Sequence, residues 1–150
     1  MKAAIIDFNQ TLFDPEKNEF VEGAFSLLQF LRWKGLKLVL LSIQELEREE
    51  KISPISSFFE VIRIVEEKTL AEFKSILSLL DVSPSDVIVI GDSILEEILL
   101  GNQLGMMTIR VRQGKFAKDL PSSPQEEAQI SVDNLLEVIS FLNAKKLGGI

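Results

Sequence analysis

The sequence has no cysteine and no histidine in its 150 residues. Without cysteine there are no disulfides and no thiolate metal ligands, which fits a cytoplasmic location. Without histidine the usual general base and the commonest zinc ligand are both missing. Acid–base and metal chemistry therefore fall to carboxylates, lysines and hydroxyls. No stretch approaches the roughly 20 unbroken apolar residues needed to cross a bilayer. The apolar start, Ala3-Ala4-Ile5-Ile6, ends at Asp7, too short for the core of a signal peptide, and reads as a strand. Acidic residues outnumber basic ones, 23 to 16. The formal net charge of −7 argues against broad nucleic-acid binding. What the sequence does have is 46% hydrophobic and 26% charged residues, enough for a packed core in one ordinary domain.

Apolar runs alternate with helical patterns along the chain. Strands are expected at Lys2 to Asp7, Leu36 to Leu41, Glu60 to Val65, Asp86 to Ile90 and Met107 to Val111. Between the first two, Phe13 to Val21 carries Asp14-Pro15 and Lys17-Asn18 among apolar residues, a turn-centred flap. Glu22 to Lys34 has helical spacing, with Gly35 as its stop. Gln44 to Lys51 reads as a short charged helix. Thr69 to Leu80 repeats apolar residues at Leu70, Phe73, Ile76, Leu77 and Leu80, and Thr69 is placed to cap it. Ser93 is placed to cap another helix after Gly91-Asp92. Gly114 to Gln129 reads as a loop, and Leu135 to Lys145 as a final helix. This alternation predicts an α/β fold with a central, mostly parallel five-stranded sheet covered on both faces. Residues 1–150 form one expected domain, with a short flap at about 12–22 and no cap domain.

Ligands of open parallel sheets bind beyond the carboxyl ends of the strands. The expected strand ends are polar there: Asp7-Phe8-Asn9-Gln10-Thr11, then Ser42, then Gly91-Asp92-Ser93 followed by Glu96 and Glu97. Lys68 lies just past the third strand, at a helix start. Taken singly, each has an ordinary structural explanation, such as an Asx turn, a helix cap or a solvated charge. Their joint occurrence in this order is the informative feature.

That order resembles the haloacid dehalogenase-like hydrolases over nearly the whole chain. In that family a strand ends in Asp-x-Asp-Gly-Thr, a second ends in Thr or Ser, a Lys precedes a helix, and a later strand ends in Gly-Asp followed by another acid. Gly105-Met106 also sits where the family often has Gly-Met before its fifth strand. The resemblance implies a Rossmann-like three-layer sandwich and a Mg²⁺-dependent phosphatase acting through an aspartyl-phosphate at Asp7. It implies metal ligation by Asp7, Asp92, the Asn9 carbonyl and Glu97, with Glu96 as the less favoured neighbour. Ser42, Thr11 and Lys68 would serve the phosphorylated substrate, and Asp7, Asn9 and Lys68 the catalysis.

Three departures qualify the expectation. Asn9 stands where the family places the carboxyl that protonates the leaving group and later activates water. Loss of such a group typically removes on the order of 10²–10⁴ in rate. Gln10 replaces glycine, and Glu97 replaces a shorter aspartate. Activity is therefore expected to be reduced or atypical. The alternative is a catalytically degenerate module acting through a protein partner. The intervals from Thr11 to Ser42 and from Ser42 to Lys68 are too short for a cap domain, which resembles the capless class and leaves a homo-oligomer or partner as a route to closing the site. A basic cluster, Arg110, Arg112, Lys115 and Lys118, reads as a charged sheet edge. A two-component receiver is set aside because the third strand lacks a terminal aspartate. A dinucleotide-binding domain would need a glycine-rich first turn.

Overall fold

Strand β1 (Ala3–Ile6) is apolar at every position because it lies in the middle of the sheet with both faces covered. In the computed structural model, which describes residues 1–145, it is flanked by β4 (Lys37–Ile43) on one side and β6 (Val87–Gly91) on the other, both parallel to it. The full order is β5-β4-β1-β6-β7-β8, with β5 at Val61–Val65, β7 at Met107–Val111 and β8 at Ile130–Val132. All five pairings are parallel. The sheet thus has six strands rather than five. The added strand is β8, three residues long and attached to β7 through Ile109 opposite Ile130. A segment that short carries no readable alternation, so it stands unassigned between the expected loop and the final helix.

Residues of the central strands alternate between two cores. Ala4, Ile6, Leu38, Leu40, Ile88 and Ile90 face one, packed with residues of α1 (Ala24–Trp33) and α5 (Leu135–Ala144). Ala3, Ile5, Val39, Leu41, Val87 and Val89 face the other, against Phe73, Ile76, Leu77 and Leu80 of α3 (Leu70–Leu80). The result is the three-layer Rossmann-like sandwich. The flap is a small hairpin, β2 (Phe13–Asp14) with β3 (Glu19–Phe20). Its Phe13 stacks on Phe8 at 5.1 Å between ring centres, and Phe20 meets both rings edge-on, anchoring the flap beside the end of β1.

Three local expectations are corrected. The charged segment after β4 is helical only over α2 (Arg48–Ile52), because Glu47 adopts φ +61° and turns the chain before the helix starts. Ser93 does not cap a helix with its side chain. The chain instead makes a π-helical turn at Ile94–Ile98 before α4 (Leu99–Leu104), with the Ile98 N–H donating to the carbonyl of Ser93, five residues back. Such turns are frequent at functional sites. The basic cluster is also not an exposed edge. Arg110 is buried and donates to the carbonyls of Phe116, Ala117 and Asp119, while Arg112 pairs with Asp133 on the outer side. β7 is an interior strand, and its Arg110 knits the following loop to the sheet.

Candidate active site

Because β1 and β6 are neighbours, the residues that follow them emerge side by side. Ile6 lies opposite Ile90, and the Asp7 N–H donates to the Ile90 carbonyl at 3.0 Å. Asp7 and Asp92 therefore share one rim at the point where the strand order reverses. Oxygens of Asp7, Asp92 and Glu97 all lie within 4.8 Å of one another, and all three residues are buried. Lys68, held at the entrance of α3, extends its ammonium between Asp7 (2.5 Å) and Glu97. The Thr11 hydroxyl lies 3.2 Å from Asp7 Oδ2 and 3.4 Å from Asp92 Oδ1, so its single proton can serve either.

Glu97, not Glu96, reaches this cluster. The π-helical turn directs it inward, where Oε2 accepts the Ser93 N–H at 3.3 Å and Oε1 accepts from Lys68. Room for the longer acid comes from Gly91. A β-carbon there would sit 2.6 Å from Glu97 Oε2. Glu96 is half-buried and lines the open cavity instead.

Three carboxylates against one ammonium leave an excess of two negative charges when all are ionised. Burial, and next the negative charge of Asp7, push the Asp92 carboxyl up to about 10. The same two causes raise Glu97 to about 7, partly opposed by Lys68. Burial alone would lower Lys68, but Asp7 and Glu97 more than reverse this and hold it above its ordinary value. Asp92 Oδ2 is buried with no hydrogen-bond partner among the described residues. An orphaned carboxylate oxygen inside a doubly negative cluster of hard oxygen donors is what a divalent cation such as Mg²⁺ fits.

A cavity of about 580 Å³ opens over the cluster. Asp7 and Asp92 form part of its floor, and Asn9, Ser42 and Arg48 line one side. Thr11 and Lys68, expected to serve the substrate, are not part of its wall; both are buried beneath the carboxylates. Ser42 lines the cavity, its hydroxyl donating to the Ile43 carbonyl at 3.3 Å. Gln10 occupies the glycine position of the motif with φ +64°, the left-handed conformation that glycine favours.

Several site residues had no readable signal. Glu45 and Arg48 sit within the charged run Gln44 to Lys51, which looks like a solvated helix, yet Arg48 is almost fully buried. Gln113 donates to the Thr11 carbonyl at 2.8 Å across 102 positions of sequence, and nothing local marks it. Lys115 and Phe116 line the far side of the cavity.

Comparison with known proteins agrees with this architecture. Residues 70–138 match a family model described as HAD-hydrolase-like. A 70-residue stretch is 37% identical to the phospholysine phosphohistidine inorganic pyrophosphate phosphatase of Mus musculus, covering 47% of this chain and 26% of that protein. The matched stretch thus spans about a quarter of that relative's length. Among solved structures, a HAD phosphatase from Thermococcus onnurineus superposes with a TM-score of 0.79 at 14% identity, covering 97% of this chain and 100% of the other. The D,D-heptose 1,7-bisphosphate phosphatase of B. bronchiseptica, solved with magnesium and phosphate, gives 0.77 at 17% identity, covering 96% and 99%. The chain is thus similar to the haloacid dehalogenase-like hydrolases in sequence from α3 into α5, and it shares the fold of these solved phosphatases across the whole sheet.

Proposed function

We propose that this chain is a Mg²⁺-dependent phosphohydrolase of the capless type, acting through phosphorylation of Asp7 and slow in releasing the phosphoryl group. The observation that carries this reading is the convergence of Asp7, Asp92 and Glu97 beneath the cavity, with Lys68 between Asp7 and Glu97 and one Asp92 oxygen left unpartnered among the described residues.

Asp7, Asp92 and the Asn9 carbonyl would hold the cation, with Glu97 supporting it. When bound, Mg²⁺ supplies the positive charge that lets an anionic phosphoryl group approach a carboxylate. Asp7 is the nucleophile: its oxygen bonds to phosphorus as the bond from phosphorus to the leaving group breaks. Lys68 keeps a fixed positive charge against Asp7 and offsets the negative charge that spreads over the phosphoryl oxygens. Ser42, at the cavity wall, donates a hydrogen bond to one of those oxygens. Water then attacks phosphorus, which frees Asp7 and releases inorganic phosphate.

Asn9 can donate a hydrogen bond but no proton, and it cannot accept one from the attacking water. Substrates with good leaving groups, acyl and aryl phosphates and phosphoanhydrides, are therefore favoured. The pyrophosphate in the mouse relative's name supports that class. The second step lacks its base, so phosphorylated Asp7 accumulates.

Acetyl phosphate and Mg²⁺, followed by intact-protein mass spectrometry and phosphate release, test this. The expected result is a burst close to one phosphate per chain and a phosphoryl adduct that is absent from Asp7→Asn. Linear release without an adduct, or an adduct that persists in Asp7→Asn, overturns it. Metal binding with neither release nor adduct would point to the binding-module alternative.

A further inference from the structure

Asn9 is not an isolated amide at the edge of the cavity. The Arg48 guanidinium donates to Asn9 Oδ1 at 3.1 Å, and Asn9 Nδ2 donates to Glu45 Oε1 at 3.1 Å. Arg48 closes the ring by pairing with Glu45 Oε2 at 2.9 Å. Arg48 is itself held rigidly. Its side chain is 1% exposed, Nε donates to the Ile43 carbonyl at 3.3 Å, and the guanidinium lies 4.7 Å from the centre of the Phe8 ring. The left-handed turn at Glu47 brings Arg48 back beneath the end of β4 and so beside Glu45.

The chemistry of the partners fixes the amide's orientation. A guanidinium can only donate, and an ionised carboxylate can only accept. The Asn9 oxygen must therefore face Arg48 and its nitrogen must face Glu45. One Nδ2 hydrogen is used by Glu45, and the other is left for the cavity that Asn9, Glu45 and Arg48 all line. An aspartate at position 9 would lose this donor and set its own carboxylate against that of Glu45.

We infer that Arg48 and Glu45 are positioning residues that hold the Asn9 carboxamide as a fixed, neutral hydrogen-bond donor to the substrate's leaving-group atom. This rests on the phosphohydrolase reading and narrows it. The site is adapted to leaving groups that accept a hydrogen bond and depart as anions, such as the carboxylate of an acyl phosphate, rather than to alkoxides that need a proton. Position 9 then holds one member of a matched set of three, in which the amide has a defined task.

The test uses Glu45, whose side chain is half exposed. With acetyl phosphate, Glu45→Ala is expected to lower the rate of Asp7 phosphorylation about tenfold, the size of one well-oriented hydrogen bond. KM should stay within about twofold, because the loss falls on the reacting step. Glu45→Gln should recover most of the rate, since its carbonyl still accepts from Asn9. Asn9→Ala should lose as much as Glu45→Ala, and the double variant no more than either. A separate arm needs no turnover: the side-chain amide resonances of Asn9 should shift in Glu45→Ala and remain near their native position in Glu45→Gln. Losses that multiply in the double variant, or Asn9 resonances unmoved by Glu45→Ala, overturn the inference. If the native protein forms no Asp7 adduct, the phosphohydrolase reading and the leaving-group role fall together, while the resonances still decide whether Glu45 orients Asn9.

Discussion

Asp92 shows the conflict at the scale of one residue. Burial, and next the charge of Asp7, pushes its carboxyl up to about 10, and one oxygen has no partner among the described residues. Without metal the folded chain must either keep a proton there or tolerate adjacent negative charges. Asp92→Asn removes that strain. The metal-free variant is expected to be more stable than the native chain by about 1 kcal/mol, in the range typical of relieving a functional site. It should also lose any thermal stabilisation by Mg²⁺, which a melting series with and without the cation would show. Gly91 is constrained in the opposite sense. A methyl group there collides with the Glu97 carboxylate, so Gly91→Ala is expected to cost about 1–3 kcal/mol and to weaken Mg²⁺ binding, read by denaturant unfolding and by titration.

At the scale of elements, α3 links helix chemistry to the site. The Thr69 side chain accepts the Glu72 N–H at 3.2 Å, which caps the helix directly after Lys68. Thr69→Ala should cost about 1 kcal/mol by loss of that cap. It should also loosen the tether that keeps Lys68 between Asp7 and Glu97, seen as slower Asp7 phosphorylation at unchanged Mg²⁺ affinity. This cap was legible because a Thr before a run with apolar residues at 70, 73, 76, 77 and 80 is a local signal. The π-helical turn after β6 was not, because it is set by Glu97 reaching inward for Lys68 and the Ser93 N–H, contacts that depend on α3 and β6 already being in place. The same holds for the short α2, whose charges look solvent-facing in sequence although Arg48 is interior.

For the whole molecule, the charged cluster couples folding to protonation. Glu97 is raised from its ordinary value of 4.5 to about 7, and Asp92 from 3.8 to about 10. Between the unfolded and folded values, the native state holds protons that the unfolded chain has already released. Metal-free stability should therefore be fully present at about pH 4 and fall as the pH rises through 7 towards 10. Mg²⁺ bound there would compete with those protons, so its stabilising effect should grow over the same interval. Melting temperatures measured from acid to alkaline pH, in chelator and in Mg²⁺, would show the two curves diverging upward in pH. Parallel curves would refute the linkage.

The sequence by itself determined the alternation of strands and helices, the strand-end positions of Asp7, Ser42 and Asp92, and the Thr69 cap. Each of these is encoded by local periodicity or by residues close together in the chain. Tertiary structure alone decided how Glu97, favoured over Glu96 by resemblance, is turned inward through a π-helical turn, and that Arg48 and Glu45 clamp Asn9. Those outcomes depend on contacts between segments tens of residues apart. A charge pattern along one segment does not reveal which of its members is drawn into a distant cavity.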